Sequence, residues 1–487
     1  MTAVAVEPTT GRVGRSLGWV TAGNLMLRIG NFGVSIIMAR LIAPEEFGVF
    51  AVALTVWAVL GTLAEFGLGT DLVRAADVQR RIPTVTTLGL LTSGTLALSM
   101  VIAAPLIARA FESPDSTGVL RLMAVAMAVF GLSIAPAALL QRAFRQKALF
   151  AVNGTALVLS TATMAALALA GAGPVALAVG QIVTQVVSVV GQHLAARVPV
   201  RLGFDRTIAA ESIRFCLPLA AANLLSWVLL SVDNLLVARL LSPVQLGLYV
   251  LAFNVSSWPM SAVGQAVRVV ALPAFARLDE GRRRNDTLLL VLAPLWAVAL
   301  LLGAGLATSA GAVVRLLYGD RWAAAGAALA GLAVFGGVRV VFDLLATYLI
   351  AAGQTRPVLV VQAVWLLAMV PAMAAGILVF GLAGAGWTHL VVALAVTLPA
   401  YLVCLRRLGI RPAAVLRTAV VPAAAVLPFA LASWFANERI GSPLGAVAVS
   451  GGLALTLYVL PMARWWTRRV HQLRAAEHLT TEGTGNS

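Results

Sequence analysis

The chain has 487 residues, of which 60% are hydrophobic and 11% charged, and its mean hydropathy is +0.95. Soluble domains carry about 25% charged residues, so this composition excludes a soluble protein with a polar shell. The net charge of +16 does not mark a nucleic-acid binder, because the cations sit as short clusters between apolar runs and form no stripe.

A helix crossing the hydrocarbon of a bilayer needs about 20 apolar residues. Charged clusters, Gly and Pro divide the chain into fourteen such runs, at 17–39, 46–73, 84–109, 119–141, 149–171, 174–196, 214–238, 244–272, 287–310, 323–351, 357–380, 382–405, 415–436 and 443–463. The predicted fold class is an all-α polytopic membrane protein with about 14 transmembrane helices. The polar segment 1–16 precedes a run that contains Arg28 and is followed by no small-residue cleavage site. It reads as a tail before a retained helix, not a signal peptide. A second polar tail covers 466–487.

Polar residues mark some of these runs. The first carries Asn24, Arg28, Asn31 and Ser35 at steps of four, three and four, which places them on one helix face. The second carries Thr55, Thr62 and Glu65. The sixth carries Gln181, Gln185, Ser188 and Gln192, a stripe that reads first as hydrogen-bonding glue between helices. The seventh carries Asn223, Ser226, Asp233 and Asn234, and the eighth Asn254, Ser257, Ser261, Gln265 and Arg268. The tenth holds Arg339 and, one turn on, Asp343.

Two stretches 199 residues apart are near copies. Ala39-Arg40-Leu41-Ile42-Ala43-Pro44-Glu45-Glu46-Phe47-Gly48 returns as Ala238-Arg239-Leu240-Leu241-Ser242-Pro243-Val244-Gln245-Leu246-Gly247. The same offset pairs Asn24-Leu25 with Asn223-Leu224, Ala53 with Ala252 and Val56 with Val255. It also pairs Thr55 with Asn254 and Thr62 with Ser261, so the first hairpin of each copy has an equivalent polar face. An offset of six helices gives two lobes of one orientation, 17–200 and 201–405, followed by an extra helix pair at 406–465. Two repeated lobes in a membrane protein point to a transporter with its substrate path between them.

Charge counting orients the runs. With a cytoplasmic N-terminus, 26 of the 35 cations fall on the cytoplasmic side, seven fall outside and two, Arg28 and Arg339, lie within runs. This asymmetry predicts both termini in the cytoplasm. Arg40 and Arg239 recur at the outer end of both copies, where helix-end packing explains them.

The two buried-span arginines carry the chemistry. An arginine at mid-bilayer costs at least about 2.5 kcal/mol on insertion scales, so each needs a carboxylate, water or an anionic ligand. Asp343 is a candidate partner for Arg339, and Glu65 for Arg28. A guanidinium in an aqueous cavity grips phosphate oxygens bidentately. The expected cavity residues are Asn24, Arg28, Asn31, Glu65, Asn223, Asp233, Asn234, Asn254, Gln265, Arg268, Arg339 and Asp343.

Other chemistries find little support. Cys216 and Cys404 have no disulfide or metal spacing, and His193, His389, His471 and His478 are scattered. A phosphate-binding loop needs Gly-Lys-Ser/Thr, and the single lysine, Lys147, follows Gln146. No loop exceeds about 20 residues on this map, leaving no room for a catalytic domain. No enzyme activity and no cofactor are expected, and Na⁺ or H⁺ are the candidate coupling ions.

The repeated Ala-Arg-Leu-x-x-Pro segments resemble the polysaccharide transporter (Wzx-type flippase) family of the multidrug/oligosaccharidyl-lipid/polysaccharide superfamily. The stretch Ser231-Val232-Asp233-Asn234-Leu235 through Gly247-Leu248-Tyr249 is similar to the seventh-helix region of its exopolysaccharide-export members. Glu65-Phe66-Gly67-Leu68-Gly69-Thr70 resembles their second-helix ending, and Ala352-Gly353-Gln354 closes a segment similar to their tenth helix. The resemblance implies a two-lobe exporter in the bacterial cytoplasmic membrane that turns an undecaprenyl-diphosphate-linked oligosaccharide to the outer leaflet by alternating access. It implies the lipid-linked sugar and membrane lipids as partners, a polysaccharide polymerase as a candidate one, and no nucleic acid. The alternatives are a multidrug/cation antiporter of the same superfamily and a flippase for the peptidoglycan-precursor lipid.

Overall fold

The computed structural model describes residues 10–65, 67–75, 77–143, 145–276, 281–469 and 472. The side chains of 10–22, 24, 25, 218–231, 262, 265–276, 281–283 and 355 lie outside that description. The helices are α1 (Thr10–Leu41), α2 (Pro44–Glu65), α3 (Leu68–Arg74), α4 (Val78–Ala110), α5 (Ser116–Arg142), α6 (Gln146–Leu169), α7 (Pro174–Ala196) and α8 (Arg206–Leu240). They continue as α9 (Pro243–Ala276), α10 (Gly281–Thr308), α11 (Ala310–Tyr318), α12 (Ala325–Ala351), α13 (Thr355–Val392), α14 (Leu398–Arg407), α15 (Pro412–Arg439) and α16 (Pro443–Leu453). Among the described residues, ten stretches are long and apolar enough to cross a membrane.

The sequence sets the helix ends. α2, α7, α9, α15 and α16 all begin at proline, whose fixed φ suits a first turn and whose missing N–H is not needed there. Asp205 caps α8 by accepting from the Thr207 and Ile208 amides, and Ser442 caps α16 through the Gly445 amide. The predicted run 46–73 is two helices, broken at Gly67, whose φ is 75°. The stretch Arg356–Arg407 breaks at Gly381, with φ 59° and ψ −137°. That break falls between the predicted runs 357–380 and 382–405. Two π-helical segments, Ala393–Thr397 and Ala454–Val459, end two residues before Pro399 and Pro461. A wider turn there takes up the clash between each proline ring and the carbonyl four residues earlier.

The chain forms two compact units, Met1–Gly247 and Leu248–Ser487. In the first, Met38, Phe50, Met100, Met123 and Leu177 centre one core. Leu68, Leu72, Ile82, Ile134 and Cys216 centre another. In the second, Leu288, Trp296, Phe335, Phe342 and Tyr401 form the main core, while Phe429 and Tyr458 bring the last helices onto Ala297 of α10. The border lies in the first turns of α9, whereas the repeat places the start of the second lobe at 201. α8 packs with α2, α3 and α4 in the first unit.

That packing has a specific cause at one end of α8. The side chain of Arg81 lies among Asp71 at 3.5 Å, Asp77 at 3.0 Å and Glu211 at 2.5 Å. Ser212 donates to the buried Asp71 at 2.7 Å, and Arg80 pairs with Asp205 at 3.0 Å. The Arg81 hydrogen bond holds the Asp77 carboxyl below its ordinary range. Asp205 is lowered by the Ile208 amide first, then by Arg80 and the Thr207 amide.

Candidate functional site

In the first unit, α1 packs on α6 along a small-residue seam. A Cβ on Gly23 would stand 3.0 Å from the Phe150 ring, and one on Gly30 would stand 2.5 Å from Leu157. At 3.6 residues per turn, Arg28 lies on roughly the opposite side of α1. Both Arg28 and Asn31 are exposed there. Ser35 donates to the Phe32 carbonyl. No ion pair joins Arg28 to Glu65, and Glu65 is itself exposed. The side chain of Asn24 lies outside the described residues.

α2 and α8 bring their polar positions together. Thr55 donates to the Ala51 carbonyl at 2.9 Å and accepts from Asn234 Nδ2 at 3.5 Å. The Asn234 amide donates to Asp233 Oδ1 at 2.9 Å. Asp233 and Asn234 are half-buried. Thr62 spends its hydroxyl on the Ala58 carbonyl. The side chain of Asn223 lies outside the described residues.

In the second unit, α9 and α12 run side by side. A Cβ on Gly336 would stand 2.9 Å from Met260, and one on Gly264 would stand 3.6 Å from Asp343 Oδ2. These contacts place Asp343 at the edge of the α9 polar stripe. Asn254 of that stripe is exposed. Ser257 and Ser261 donate to the Phe253 and Ser257 carbonyls. Arg339 falls between the two contacts, near the depth of Ser261. It is exposed although Val338, Val340 and Val341 around it are at most 3% exposed. No ion pair joins Arg339 to Asp343, although these positions are one turn apart on the helix; Asp343 Oδ2 lies beside Gly264 of α9. The side chains of Gln265 and Arg268 lie outside the described residues.

Each unit therefore presents an exposed, mid-helix guanidinium that pairs with no described carboxylate, and each also carries half-buried polar groups on its repeated hairpin. Such a surface offers fork-shaped donors to an anion. The sequence reading did not find Asp71, Glu211, Ser212 or the buried groups joining α15 to α10. Their signal is a polar residue inside or beside an apolar run, and all but one of the partners named (Arg81, ten residues from Asp71) lie more than 100 residues away in the chain.

An all-helical body of long apolar spans, built on a duplicated hairpin with a polar face, defines a multi-pass membrane transporter. The fold is shared with the lipid II flippase MurJ in an inward closed conformation, with a TM-score of 0.72 at 12% identity over 92% of this chain and 99% of that one. It is shared also with a multidrug resistance MATE family transporter of the MOP superfamily in an inward-facing conformation, with a TM-score of 0.62 at 15% identity over 79% and 94%. The chain belongs to the polysaccharide biosynthesis protein family, whose profile matches residues 37–327 and takes in both copies of the repeat. It is 27% identical over 350 residues to the succinoglycan biosynthesis transport protein ExoT of Rhizobium meliloti (strain 1021), covering 70% of each chain. It is 25% identical over 329 residues to the lipopolysaccharide biosynthesis protein WzxC of Escherichia coli (strain K12), covering 65% of each. It is a Wzx-type transporter of polysaccharide biosynthesis, not an enzyme.

Proposed function

We propose that the chain flips an undecaprenyl-diphosphate-linked oligosaccharide from the inner to the outer leaflet of the bacterial cytoplasmic membrane by alternating access. The observation that carries this reading is the exposure of Arg28 and Arg339 at mid-helix, with no carboxylate among the described residues neutralising either. An unpaired guanidinium in a span is costly unless water or an anion meets it, and a diphosphate presents the oxygens that its fork matches. Membership of the polysaccharide family supports a sugar-bearing lipid as the cargo.

The topology proposed is fourteen spans with both termini cytoplasmic, in lobes 17–200 and 201–405 with the pair 406–465 appended. The ten stretches support it, because one holds two helices joined at Gly381 and because α1, α8 and α9 are 32, 35 and 34 residues long. The deciding experiment deletes the gene and labels lipid-linked oligosaccharides by leaflet. Accumulation of one such lipid on the cytoplasmic side is expected. New sensitivity to cationic drugs without accumulation would assign the chain to the antiporter class, and accumulation of the peptidoglycan-precursor lipid would assign that cargo instead.

A further inference from the structure

The first unit carries a second polar face that the export reading leaves unused. On α7, Gln185, Ser188 and Gln192 follow at steps of three and four and share one side of the helix. This side faces inward, and the three residues are 8%, 7% and 7% exposed. Gln185 Nε2 and Gln192 Oε1 are covered and make no hydrogen bond with the protein. On α2, the indole Nε1 of Trp57 is in the same condition.

Trp57 and Gln185 lie at one depth. At the head of α2, Glu46 reaches Gly173, the residue before α7: a Cβ there would stand 2.7 Å from Glu46 Oε1. Both helices run away from this contact and pack together. At about 1.5 Å per residue, Trp57 is about 17 Å beyond Glu46 and Gln185 about 18 Å beyond Gly173. The Trp57 ring meets Phe130 of α5 edge-on, with centroids 6.4 Å apart, and α5 packs along α7. α2, α5 and α7 therefore bring both donors near the middle of the spans, and the acceptor Gln192 Oε1 lies about 10 Å further along α7.

The chemistry of this set selects its ligand. It contains amides, an indole and a hydroxyl, and α7 bears no acid or arginine. A bound ion would have no opposite charge here to offset its desolvation. A sugar, with a hydroxyl on most of its carbons, would find only three unpaired protein atoms here. Water both donates and accepts, and it is the usual partner of buried polar groups that lack one another. We infer that Trp57, Gln185, Ser188 and Gln192 line a binding site for a short chain of water molecules inside the first unit. The site follows α7 for about 10 Å, from mid-span toward the Ala196 end.

Two measurements on the purified full chain test this. Thermal unfolding is compared for the native protein, Gln185→Leu, Gln192→Leu and the double variant. Leucine fills much of the amide's volume. If the amides are dry and unpaired, removing them raises Tm, and that result overturns the site. If they hold water, the leucines strand the remaining partners and Tm falls by a few degrees. Radiolytic hydroxyl labelling in ¹⁸O-water, read by mass spectrometry, keeps the inference open to refutation should the variants fail to fold. Normalised to ring exposure, the half-buried Phe130 is expected to be labelled several-fold faster than the buried Phe50 of the same core. Equal rates for the two rings would overturn the site.

Discussion

Gly48 and Gly247, one repeat apart, lie backbone against backbone within the first unit. A Cβ on Gly247 would stand 3.0 Å from the Gly48 amide nitrogen and 3.1 Å from the Pro44 carbonyl oxygen. A Cβ on Gly48 would run into the Pro243 carbonyl. Pro44 and Pro243 are themselves repeat mates, so each copy's turn seats its glycine on the other copy's proline. This is the self-complementary contact that a duplicated patch makes with its twin.

The two glycines are expected to tolerate alanine unequally. Alanine in a helix gains about 1 kcal/mol over glycine, while overpacking a tight contact costs about 1–3 kcal/mol. At Gly247 the approach is marginal and the terms nearly cancel, so Gly247→Ala leaves Tm close to native. At Gly48 the obstacle is a backbone carbonyl that cannot swing aside, so Gly48→Ala lowers Tm. Thermal unfolding in detergent ranks the two, and equal values would show that the turns separate readily.

Arg28→Ala and Arg339→Ala are each expected to abolish export while leaving insertion and Tm intact. Neither side chain has a described partner to lose, and exposed substitutions of this kind shift stability by about 0.5 kcal/mol or less. Arg28→Lys keeps the charge and loses the fork, and should export slowly. Leaflet-specific labelling of the lipid-linked sugar measures all three. Normal export by Arg28→Ala would reduce that residue to a feature of packing.

Much of this was legible in the chain itself, and the reasons are physical. Steps of three and four residues are enough to put Arg28 and Asn31 on one face, because helix geometry is fixed. The Gly381 break was legible too, because Gly stands between two apolar runs of spanning length. The partners of Arg81 were not. Asp71 and Glu211 reach it from ten and 130 residues away, and nothing local distinguishes a helix-end arginine that pairs from one that is solvated. The expected Arg339–Asp343 and Arg28–Glu65 pairs failed for the converse reason. Proximity along a helix or between hairpins permits a contact but does not orient a side chain, and Asp343 Oδ2 lies beside Gly264 of α9 instead.

The Arg81 junction should govern how the protein responds to acid. Folded Asp77 and Asp205 are held below their ordinary values, so unfolding raises their proton affinity. Their contribution is complete above about pH 4, the unfolded carboxylate range, and is lost as pH falls through the lower folded values. Tm is expected to be level from neutral pH to about 5 and to drop below about 4. Asp205→Asn should shrink that drop. Arg81→Ala leaves Ser212 as the remaining described side-chain partner of the buried Asp71 and should cost about 3 kcal/mol at neutral pH. Glu211→Gln, at a more exposed carboxylate, should cost about 1 kcal/mol or less.

The last helices should behave as part of the second unit and not as an accessory. Asn437 on α15 donates to the Thr308 carbonyl at 2.9 Å and to Ser450 Oγ at 3.1 Å. Ser433 lies 2.9 Å from both Thr308 and Ser450, and Tyr458 donates to the Ala297 carbonyl at 2.9 Å. Hydrophobic contact gives membrane helices little reason to associate, so such bonds, at about 0.6 kcal/mol each, decide which neighbour a helix keeps. Asn437→Leu removes two of them together and should cost about 1–2 kcal/mol. The loss should appear as faster proteolysis between α14 and α15 and as a lower Tm of the whole chain. If Tm falls only for a fragment and the rest melts as before, the pair α15–α16 is a separate body, and its bonds to α10 do not set the stability of the unit.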